Sequence, residues 1–596
     1  MTLDFDLIIK NATIVDGTGK PAFKGSIGVK GEYITAIGDF KGDTEKVIDA
    51  NGLIAMPGFI DVHSHADWTI LWYPKCESYV HQGVTTFVGG QCGGSPAPIR
   101  EYVRVPYILQ DYLYELAPYM YYPESLYPLE QVNEWMEKIF GWTITWRTMG
   151  EFFKVVMEKG ISCNYAPLLG HGAVRYAVMG KDYKRKATKE EINEMIELIH
   201  QGMKDGCIGM STGLDYDPDV FADDEEITKC VKVLKEYGTV YSPHWRRTGR
   251  RRDISLGARL PDRIEGIKQV IETCRKTGVP LQIAHLYGGY EVSPPGPPEI
   301  QEAIGKATLK EIDKAIEEGF QVTFDVIPYN PWGNPMPYLC SLLAPWLRLL
   351  GSREKLAYWL KVKDFREEVK QAIFAGKWFI RVAYNPNVNP RWAHNIKVLK
   401  SKNPKYNGKT IAQIAQELNK DPLETYFDII AEDPDARGAV PDYRLTEDYV
   451  KLFFKHPAGM VGVDVAVFDD KYERKSPPYT IPGINAYAAY PSFLIRYVKE
   501  QKIFTLEEAV QKISTLPAKV YKLKGRGTLL EGSYADIVLI DFDKLAVVGT
   551  PLEPRKYPKG IEYVIVNGKI VIEKGKHTQA TPGKVLTRLE YTDLKP

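Results

Sequence analysis

Residues 57–65 read Pro57-Gly58-Phe59-Ile60-Asp61-Val62-His63-Ser64-His65. A short apolar run with β-branched and aromatic side chains predicts a buried strand, and Pro57-Gly58 marks its start. One residue separates His63 from His65, so both side chains lie on the same face of that strand. Two imidazoles at the end of one strand can reach the same ion, and imidazole is a common ligand of zinc. The segment therefore predicts a strand that leads into a metal site.

Short β-rich segments and amphipathic helices alternate along the middle of the chain. Eight strands are predicted near residues 59–65, 84–92, 163–170, 207–214, 239–244, 280–285, 321–328 and 460–464. Helical periodicity lies between several of them, at residues 189–204, 224–237, 262–277 and 309–318. Strands that alternate with helices form parallel sheets, so eight such units predict an α/β fold with a (β/α)8 TIM-like barrel.

Both ends of the chain are β-rich and contain hairpin signals such as Asn567-Gly568. The predicted domains are a small β-sandwich from residues 1–56 plus 522–596, and the barrel over residues 57–521. Two gaps between strands, at about 100–142 and 330–457, are too long for ordinary connections and are predicted to be insertions. The second is a large insertion after strand 7. Both follow the C-terminal ends of strands, where barrel loops build active sites.

Composition excludes several classes of partner. The 596 residues hold 77 Lys plus Arg and 76 Asp plus Glu, a net charge of +1 that gives no global field for nucleic acid or an anionic membrane. No uncharged apolar run is long enough to span a membrane. The N-terminus lacks the basic residues of a signal peptide, and seven scattered cysteines form no disulfide framework. We therefore expect a cytoplasmic protein with a small-molecule substrate, with homo-oligomer formation left open.

Six residues of metal-ligand type end the predicted strands. Because all strands of a barrel point their C-terminal ends to one mouth, these residues should converge. A thiolate, four imidazoles and a carboxylate suit zinc. A lone Cys is usually a small buried hydrophobe, which is the interpretation for the other six cysteines. The predicted ligands are His63, His65, Cys92, His244, His285 and Asp464.

The segment 57–65 resembles the first-strand signature of the amidohydrolase superfamily. Further motifs resemble the D-aminoacylase (N-acyl-D-amino-acid deacylase) family. They are Gln82-Gly83-Val84-Thr85-Thr86, Gln91-Cys92-Gly93-Gly94-Ser95-Pro96, Gly170-His171-Gly172-Ala173-Val174-Arg175, Ser211-Thr212-Gly213-Leu214, Gln282-Ile283-Ala284-His285-Leu286 and Thr323-Phe324-Asp325-Val326-Ile327-Pro328-Tyr329. The resemblance runs from about residue 5 to 575 and is weakest in the two insertions.

The resemblance implies a metal site and a catalytic residue. Cys92, His244 and His285 match the ligands of one tightly held Zn²⁺, while His63 and His65 match a second, weaker position that Asp464 also reaches. Cys92 stands in for the carboxylated lysine that bridges two metals in many amidohydrolases. Asp464 is the expected proton shuttle. Asp61 and Asp325 are instead expected to hydrogen-bond to a ligand histidine.

The substrate-binding positions depart from the family. Arg175 and Tyr329 match residues that bind the substrate carboxylate, but Tyr287 stands where the family has a lysine. Residues 483–488 read GINAYA in place of the family's His-Pro-Arg-x-Tyr-Gly. Five arginines lie in the run 246–252, just after strand 5, and we expect Arg246 and Arg247 to supply the missing charge to an anionic substrate. The alternative is a solvated loop that pairs with the acidic residues 223–226.

The predicted function is a zinc amidohydrolase that cleaves the amide bond of an N-acyl-D-amino acid or a related small N-acylated or peptidic molecule. The first alternative is another C–N bond on the same scaffold, in a cyclic amide such as a hydantoin or in a dipeptide. A second, of a different class, is a non-catalytic scaffold protein. Such a protein would have lost metal ligands, and all six are present.

Overall fold

The computed structural model describes residues 4–112, 126–215, 217–247, 263–290, 296–331, 333–377, 386, 391–440, 446–474, 477, 479 and 481–591. This part of the chain contains 23 strands. Within it the strands are β1 Leu7–Ile14, β2 Phe23–Lys30, β3 Tyr33–Gly38, β4 Val47–Asp49, β5 Ile54–Pro57, β6 Phe59–Asp61, β7 Val84–Gly89, β8 Tyr102–Arg104, β9 Leu126–Pro128, β10 Asn164–Pro167, β11 Leu169–Gly170, β12 Gly209–Gly213, β13 Val240–His244, β14 Leu281–Ile283, β15 Val322–Val326, β16 Asn334–Met336, β17 Lys397–Lys400, β18 Arg437–Val440, β19 Gly459–Val461, β20 Ile537–Ile540, β21 Ile561–Val566, β22 Lys569–Glu573 and β23 Lys576–His577.

Helices cover most of the barrel connections and the second insertion. The described α-helices are α1 Ala66–Thr69, α2 Glu77–Val80, α3 Leu129–Phe140, α4 Met149–Lys159, α5 His171–Met179, α6 Lys189–Asp205, α7 Asp224–Tyr237, α8 Arg263–Thr277, α9 Pro298–Glu317, α10 Ala344–Leu350, α11 Arg353–Trp359, α12 Lys363–Ala372, α13 Ile411–Glu417, α14 Pro422–Glu432, α15 Glu447–Lys455, α16 Asn485–Phe493, α17 Leu506–Val510 and α18 Leu516–Val520. None of these helices is long and apolar enough to span a membrane.

Eight strand positions form a closed parallel barrel. β6, β7 and β10 pair side by side, and β11 to β15 continue through β19 in the same way. Leu168 alone separates β10 from β11, so these strands are two halves of the third position. Ser64 bridges Val465 in parallel, and the His65 amide donates to the Val465 carbonyl over 2.8 Å, which joins the last position to the first. The predicted (β/α)8 barrel is confirmed.

The barrel elements follow from local sequence signals. Every residue of β7, β12 and β13 is buried, as strands covered on both faces require. The helix predicted at 189–204 is α6, which a capping box between Thr188 and Glu191 begins. The helix predicted at 309–318 is longer than expected, because α9 already begins at Pro298. Proline is tolerated in the first helical turn, where its missing N–H has no partner to lose.

Strands from both chain ends form one nine-stranded sheet. Its order is β23-β22-β21-β20-β5-β1-β2-β3, with β4 beside β1. Tyr33 of β3 bridges Tyr534, just before β20, so the sheet curls over on itself. The expected β-sandwich therefore takes the form of one curled sheet. The domain bounds 1–56, 57–521 and 522–596 stay a prediction.

The second long gap between barrel strands contains a core of its own. Buried side chains from 336 to 440, among them Leu339, Trp346, Tyr426 and Ile430, pack into a cluster separate from the barrel core. The antiparallel strands β16, β18 and β17 lie beside it. In the first gap, β8 pairs with β9 ahead of α3. Both gaps follow barrel strands, β15 and β7, at their C-terminal ends.

Candidate metal centre

The Cys92 thiol lies among three imidazoles at the C-terminal ends of the barrel strands. Its Sγ lies 3.3 Å from His63 Nε2 and 3.5 Å from both His244 Nδ1 and His285 Nε2. These residues end or directly follow β6, β7, β13 and β14. The structure thus brings together residues as far apart in sequence as His63 and His285, whose ring centroids lie 4.6 Å apart, because parallel strands of a barrel deliver their last residues to one mouth.

His65 and Asp464 complete the cluster. Asp464 Oδ1 lies 3.0 Å from His65 Nε2 and 3.5 Å from His63 Nε2. Ligand atoms of His63, Cys92, His285 and Asp464 all lie within 4.8 Å of one another. The side chains of His65 and Asp464 are 38% and 28% exposed, whereas His63 is fully buried. The cluster is therefore closed on the Cys92 side and open to solvent at Asp464.

The spacing of the donor atoms fits zinc. Bonds of about 2.3 Å to sulfur and about 2.0 Å to nitrogen, at tetrahedral angles, place the two ligand atoms roughly 3.5 Å apart. The three sulfur–nitrogen distances around Cys92 are 3.3, 3.5 and 3.5 Å. Thiolate, imidazole and carboxylate are also the donors that zinc takes in proteins. The residues present thus fit the metal in kind and in geometry.

Three of the six predicted ligands have left-handed backbone conformations. The φ angles are 56° at Cys92, 31° at His285 and 57° at Asp464. Such conformations cost side-chain-bearing residues of order 1–3 kcal/mol each and concentrate at functional sites. Hydrogen bonds hold two of them, since the His285 amide donates to Asp325 over 2.9 Å and the Asp464 amide donates to the His63 carbonyl over 2.8 Å. The fold therefore fixes the direction of the ligand side chains.

Electrostatics favour the ionised forms of the thiol and the carboxylate. Burial would raise the pKa of Cys92, but the charges of His63 and His244 hold it well below its usual value. Burial would likewise raise the pKa of Asp464, yet the hydrogen bond from His65 and the charge of His63 bring it well below its usual value. Burial, with the charge of Arg247, lowers the pKa of His285 to about 4. Burial would lower the pKa values of His63 and His65, but their anionic neighbours raise both, that of His65 to about 10. Metals bind thiolate, carboxylate and neutral imidazole, so a metal at these two histidines would displace their protons.

Two buried carboxylates support the histidines, as expected. Asp325 Oδ2 lies 3.5 Å from His63 Nδ1 and accepts from the His285 amide. Asp61 accepts from the amides of His63 and Val463, each over 3.1 Å, and burial raises the pKa of Asp61 to about 7. Carboxylates behind ligand histidines fix ring orientation.

Comparison with known proteins shows what the chain is similar to. The model of the amidohydrolase family matches residues 46–236 and 480–572. An N-acyl-D-glutamate deacylase of Alcaligenes xylosoxydans is 26% identical over 98% of this chain and 96% of the relative, and a D-aminoacylase of that organism is 27% identical over 98% of both. The structure of N-acyl-D-glutamate deacylase from Bordetella bronchiseptica, complexed with zinc and a phosphonate inhibitor, has a TM-score of 0.67 at 25% identity, covering 98% of this chain and 99% of that one. Over nearly its whole length the chain is therefore similar to the D-aminoacylases of the amidohydrolase superfamily.

Arg175, which matches a substrate-binding residue of the family, is turned away from the cluster. Its side chain is fully buried, and its Nε donates to Glu226 over 2.9 Å. Its other guanidinium nitrogens donate to the backbone carbonyls of Tyr183, Arg185 and Pro218. The prediction that Arg175 binds substrate is therefore corrected, because the interior of the protein already uses its donors.

The network around Arg175 ends at the turn that carries Cys92. Glu226 lies 3.4 Å from His171 Nε2, and His171 Nδ1 lies 3.0 Å from Asp219 Oδ1. The other Asp219 oxygen accepts from the Gly213 amide over 2.7 Å and packs so closely on Gly93 that a Cβ there would lie 2.5 Å away. Burial would lower the pKa of His171, but the charge of Asp219 raises it well above its usual value. A buried ion pair thus supports the residue next to Cys92.

Sequence reasoning missed this network and a second acidic neighbour. Asp215 Oδ2 lies 3.8 Å from His244 Nε2, behind the ligand. Asp215 and Asp219 lie in the loop after β12, which ends at Gly213, and a position in the loop at the C-terminal end of a barrel strand is the signal that could have found them.

Arg246 and Arg247 have different surroundings. Arg246 donates to the carbonyls of Leu214, Val220 and Ala222 at 2.8 to 3.2 Å, so it holds the connection after β12 rather than a substrate. The predicted substrate role of Arg246 is therefore corrected, whereas the alternative that the arginine run pairs with residues 223–226 stays a prediction. The Arg247 guanidinium lies over the Tyr287 ring, with Cζ 4.9 Å from the ring centroid. Arg250, Arg251 and Arg252 lie outside the described residues.

Tyr287 and Tyr329 lie in different neighbourhoods. The Tyr287 ring is 6.4 Å from the His285 ring, beside the cluster. Tyr329 is half-buried, and its ring lies 5.4 Å from Cζ of Arg496, which pairs with Glu447. The predicted role of Tyr287 at the site agrees with its placement, whereas the substrate role of Tyr329 stays a prediction.

Proposed function

We propose that the chain is a zinc-dependent amidohydrolase that hydrolyses the amide bond of N-acyl-D-amino acids. The observation that carries the proposal is the cluster of thiol, imidazole and carboxylate around Cys92, which has its open side at Asp464. Two relatives that match nearly the whole chain are named N-acyl-D-glutamate deacylase and D-aminoacylase. The substrate is a small molecule that carries a carboxylate.

Cys92, His244 and His285 would hold one tightly bound Zn²⁺. His63, His65 and Asp464 would hold a second, weaker position, with Cys92 shared between the two because its sulfur touches imidazoles on both sides. When bound, zinc would lower the pKa of a water molecule from roughly 16 to about 7 and polarise an amide carbonyl.

Asp464 is the proton carrier in this mechanism. Its carboxylate is ionised and faces the open side of the cluster, so it can accept a proton from the attacking water. Breaking the C–N bond releases an amine, a poor leaving group that must be protonated. Asp464 returns the proton to that nitrogen, and its 3.0 Å contact with His65 holds the carboxylate in place between the two transfers. The products are a carboxylate and an amine.

The test is release of free amine from a substrate panel. The zinc-loaded chain is given N-acetyl-D-amino acids, their L-isomers, dipeptides and cyclic amides, with Asp464→Asn as the control for contaminating activity. Turnover of N-acetyl-D-amino acids alone supports the proposal. Turnover of hydantoins or dipeptides instead supports the alternative bond on the same scaffold, which Tyr287 at the family's lysine position favours. No turnover of any amide, with zinc bound, points to the non-catalytic alternative.

We also propose a cytoplasmic location. All seven cysteines are free and buried, in keeping with a reducing compartment. Homo-oligomer formation stays a prediction, as does the absence of nucleic-acid and membrane partners.

A further inference from the structure

An anionic substrate needs a cation beside the metal cluster. Burying a carboxylate without a compensating charge or hydrogen bond is strongly unfavourable. Arg175, Arg246 and Arg247 are predicted for this role, but two of them bind other groups of the protein. Arg175 binds Glu226 and backbone carbonyls in the interior, and Arg246 binds three backbone carbonyls. Arg247 remains.

Arg247 and Tyr287 form a stacked pair next to a predicted metal ligand. Arg247 Cζ lies 4.9 Å from the centroid of the Tyr287 ring, and that ring lies 6.4 Å from the His285 ring. Tyr287 is only 8% exposed, so its ring is a fixed platform. Arg247 comes three residues after His244, which places the base of its side chain at the mouth of the barrel.

Stacking leaves the guanidinium suited to a planar anion. A guanidinium that lies over an aromatic ring keeps its N–H groups in its own plane, at the edge that the ring does not cover. That edge can donate two parallel hydrogen bonds to a carboxylate. Arg247 is half-buried, and no ion pair joins it to a carboxylate of the described residues.

The segment 483–488, which follows the last barrel strand, contains no cation that could take this role. Of its two polar side chains, Asn485 donates to the Pro328 carbonyl over 3.1 Å and Tyr487 donates to the Asp469 carbonyl over 2.7 Å. We propose that Arg247, stacked on Tyr287, binds the carboxylate of the substrate and so determines specificity for free acids over neutral amides. The positive charge is thus supplied by Arg247, which follows the fifth barrel strand, β13. It lies over Tyr287, the residue at the family's lysine position. This inference rests on the proposed function.

The test compares kcat/KM for two substrates. One is an N-acetyl amino acid, and the other is the same molecule with its carboxylate replaced by a neutral primary amide. Arg247→Gln should lower the value for the acid by roughly 10- to 150-fold, the usual weight of hydrogen bonds to a charged group, and change the value for the amide by less than about 3-fold. The loss should lie mainly in KM, since the contact exists before and during the reaction. Arg275→Gln, a surface arginine paired with Glu318, is the matched control and should leave both values unchanged.

Two further variants test the stacked geometry. Tyr287→Phe keeps the ring and should keep the acid preference, whereas Tyr287→Leu should reduce it. The double variant Arg247→Gln/Tyr287→Lys moves the charge back to the family's position and should recover acid turnover. Zinc content and circular dichroism are measured for each variant. If Arg247→Gln does not fold, kcat/KM for the acid and the amide is compared in Arg247→Lys and in the double variant instead.

The inference is overturned if Arg247→Gln lowers turnover of acid and amide equally, or if the natural chain hydrolyses both equally well. It is also overturned if the double variant folds, binds zinc and recovers nothing. A natural chain that binds zinc but releases amine from no N-acyl amino acid would instead contradict the proposed function itself.

Discussion

Replacing Asp219 with asparagine should destabilise the protein and loosen its metal site together. Asp219 accepts from two donors, His171 Nδ1 at 3.0 Å and the Gly213 amide at 2.7 Å. An asparagine side chain has one oxygen and one NH2 group, so whichever way it turns, one donor faces another donor. The substitution also removes one of the two carboxylates beside the fully buried His171 and leaves only Glu226, which pairs with Arg175 as well.

Removing one partner of a buried ion pair costs about 3–5 kcal/mol. Because asparagine keeps one acceptor, we expect the lower end, about 3 kcal/mol, or roughly a 100-fold change in the unfolding equilibrium. The assay is urea unfolding with zinc removed, followed by zinc titration of the folded protein. Zinc affinity should fall as well, since Asp219 packs on Gly93, next to Cys92.

The exposed residue Asp224, at the start of α7, supplies the matched control. Asp224→Asn should change stability by less than about 1 kcal/mol, the scale of a helix-dipole contact at the surface, and should leave zinc affinity unchanged. Equal effects of the two substitutions would refute the view that the His171–Asp219 pair supports the metal site.

Two other substitutions address the proton shuttle and a buried lysine. Asp464→Asn should lower kcat by roughly 10²- to 10⁴-fold while the protein still folds and keeps its tightly bound zinc, and a change of only a few-fold in steady-state assays would move the role to Asp325. Burial lowers the pKa of Lys512 to about 8, below the value of about 10.4 in an unfolded chain, so between these pH values the unfolded state binds more protons and stability rises with pH. Lys512→Met has no such group, so its free energy of unfolding lacks this increase. Measured by urea titration, the free energy of unfolding of Lys512→Met minus that of the natural chain should fall by about 3 kcal/mol from pH 7 to pH 10.5. A difference that stays constant over this range would contradict the lowered pKa of Lys512.

The barrel and the cluster of six strand-end residues could be predicted from sequence for one physical reason. Strand periodicity and ligand type are local properties, and the parallel barrel brings their ends together without further information. His63 and Asp464 therefore meet although 401 positions separate them, within 3.5 Å. The start of α9 was not predicted, because Pro298 reads as a helix breaker unless the position within the first turn is known.

Side-chain partners from distant elements could not be predicted. Arg175 follows the same motif as in the family, yet its direction depends on Glu226, 51 residues away on α7. Arg246 and Arg247 are adjacent in a basic run, but one binds carbonyls after β12 while the other stacks on Tyr287. The sequence shows that these arginines are charged. Only the packing of neighbouring helices and loops decides which arginine side chain points toward the cluster around Cys92.

Zinc content of purified protein is the most direct test of the metal centre. It is measured by elemental analysis after dialysis, for the natural chain and for two variants, Cys92→Ala and Cys274→Ala. Both cysteines are buried, but Cys92 contacts three imidazoles whereas Cys274 donates to the Val279 carbonyl on the far side of α8. Because a thiolate ligand is lost only in the first variant, we expect Cys274→Ala to keep the zinc of the natural chain and Cys92→Ala to lose it. Equal zinc in all three proteins would contradict the account.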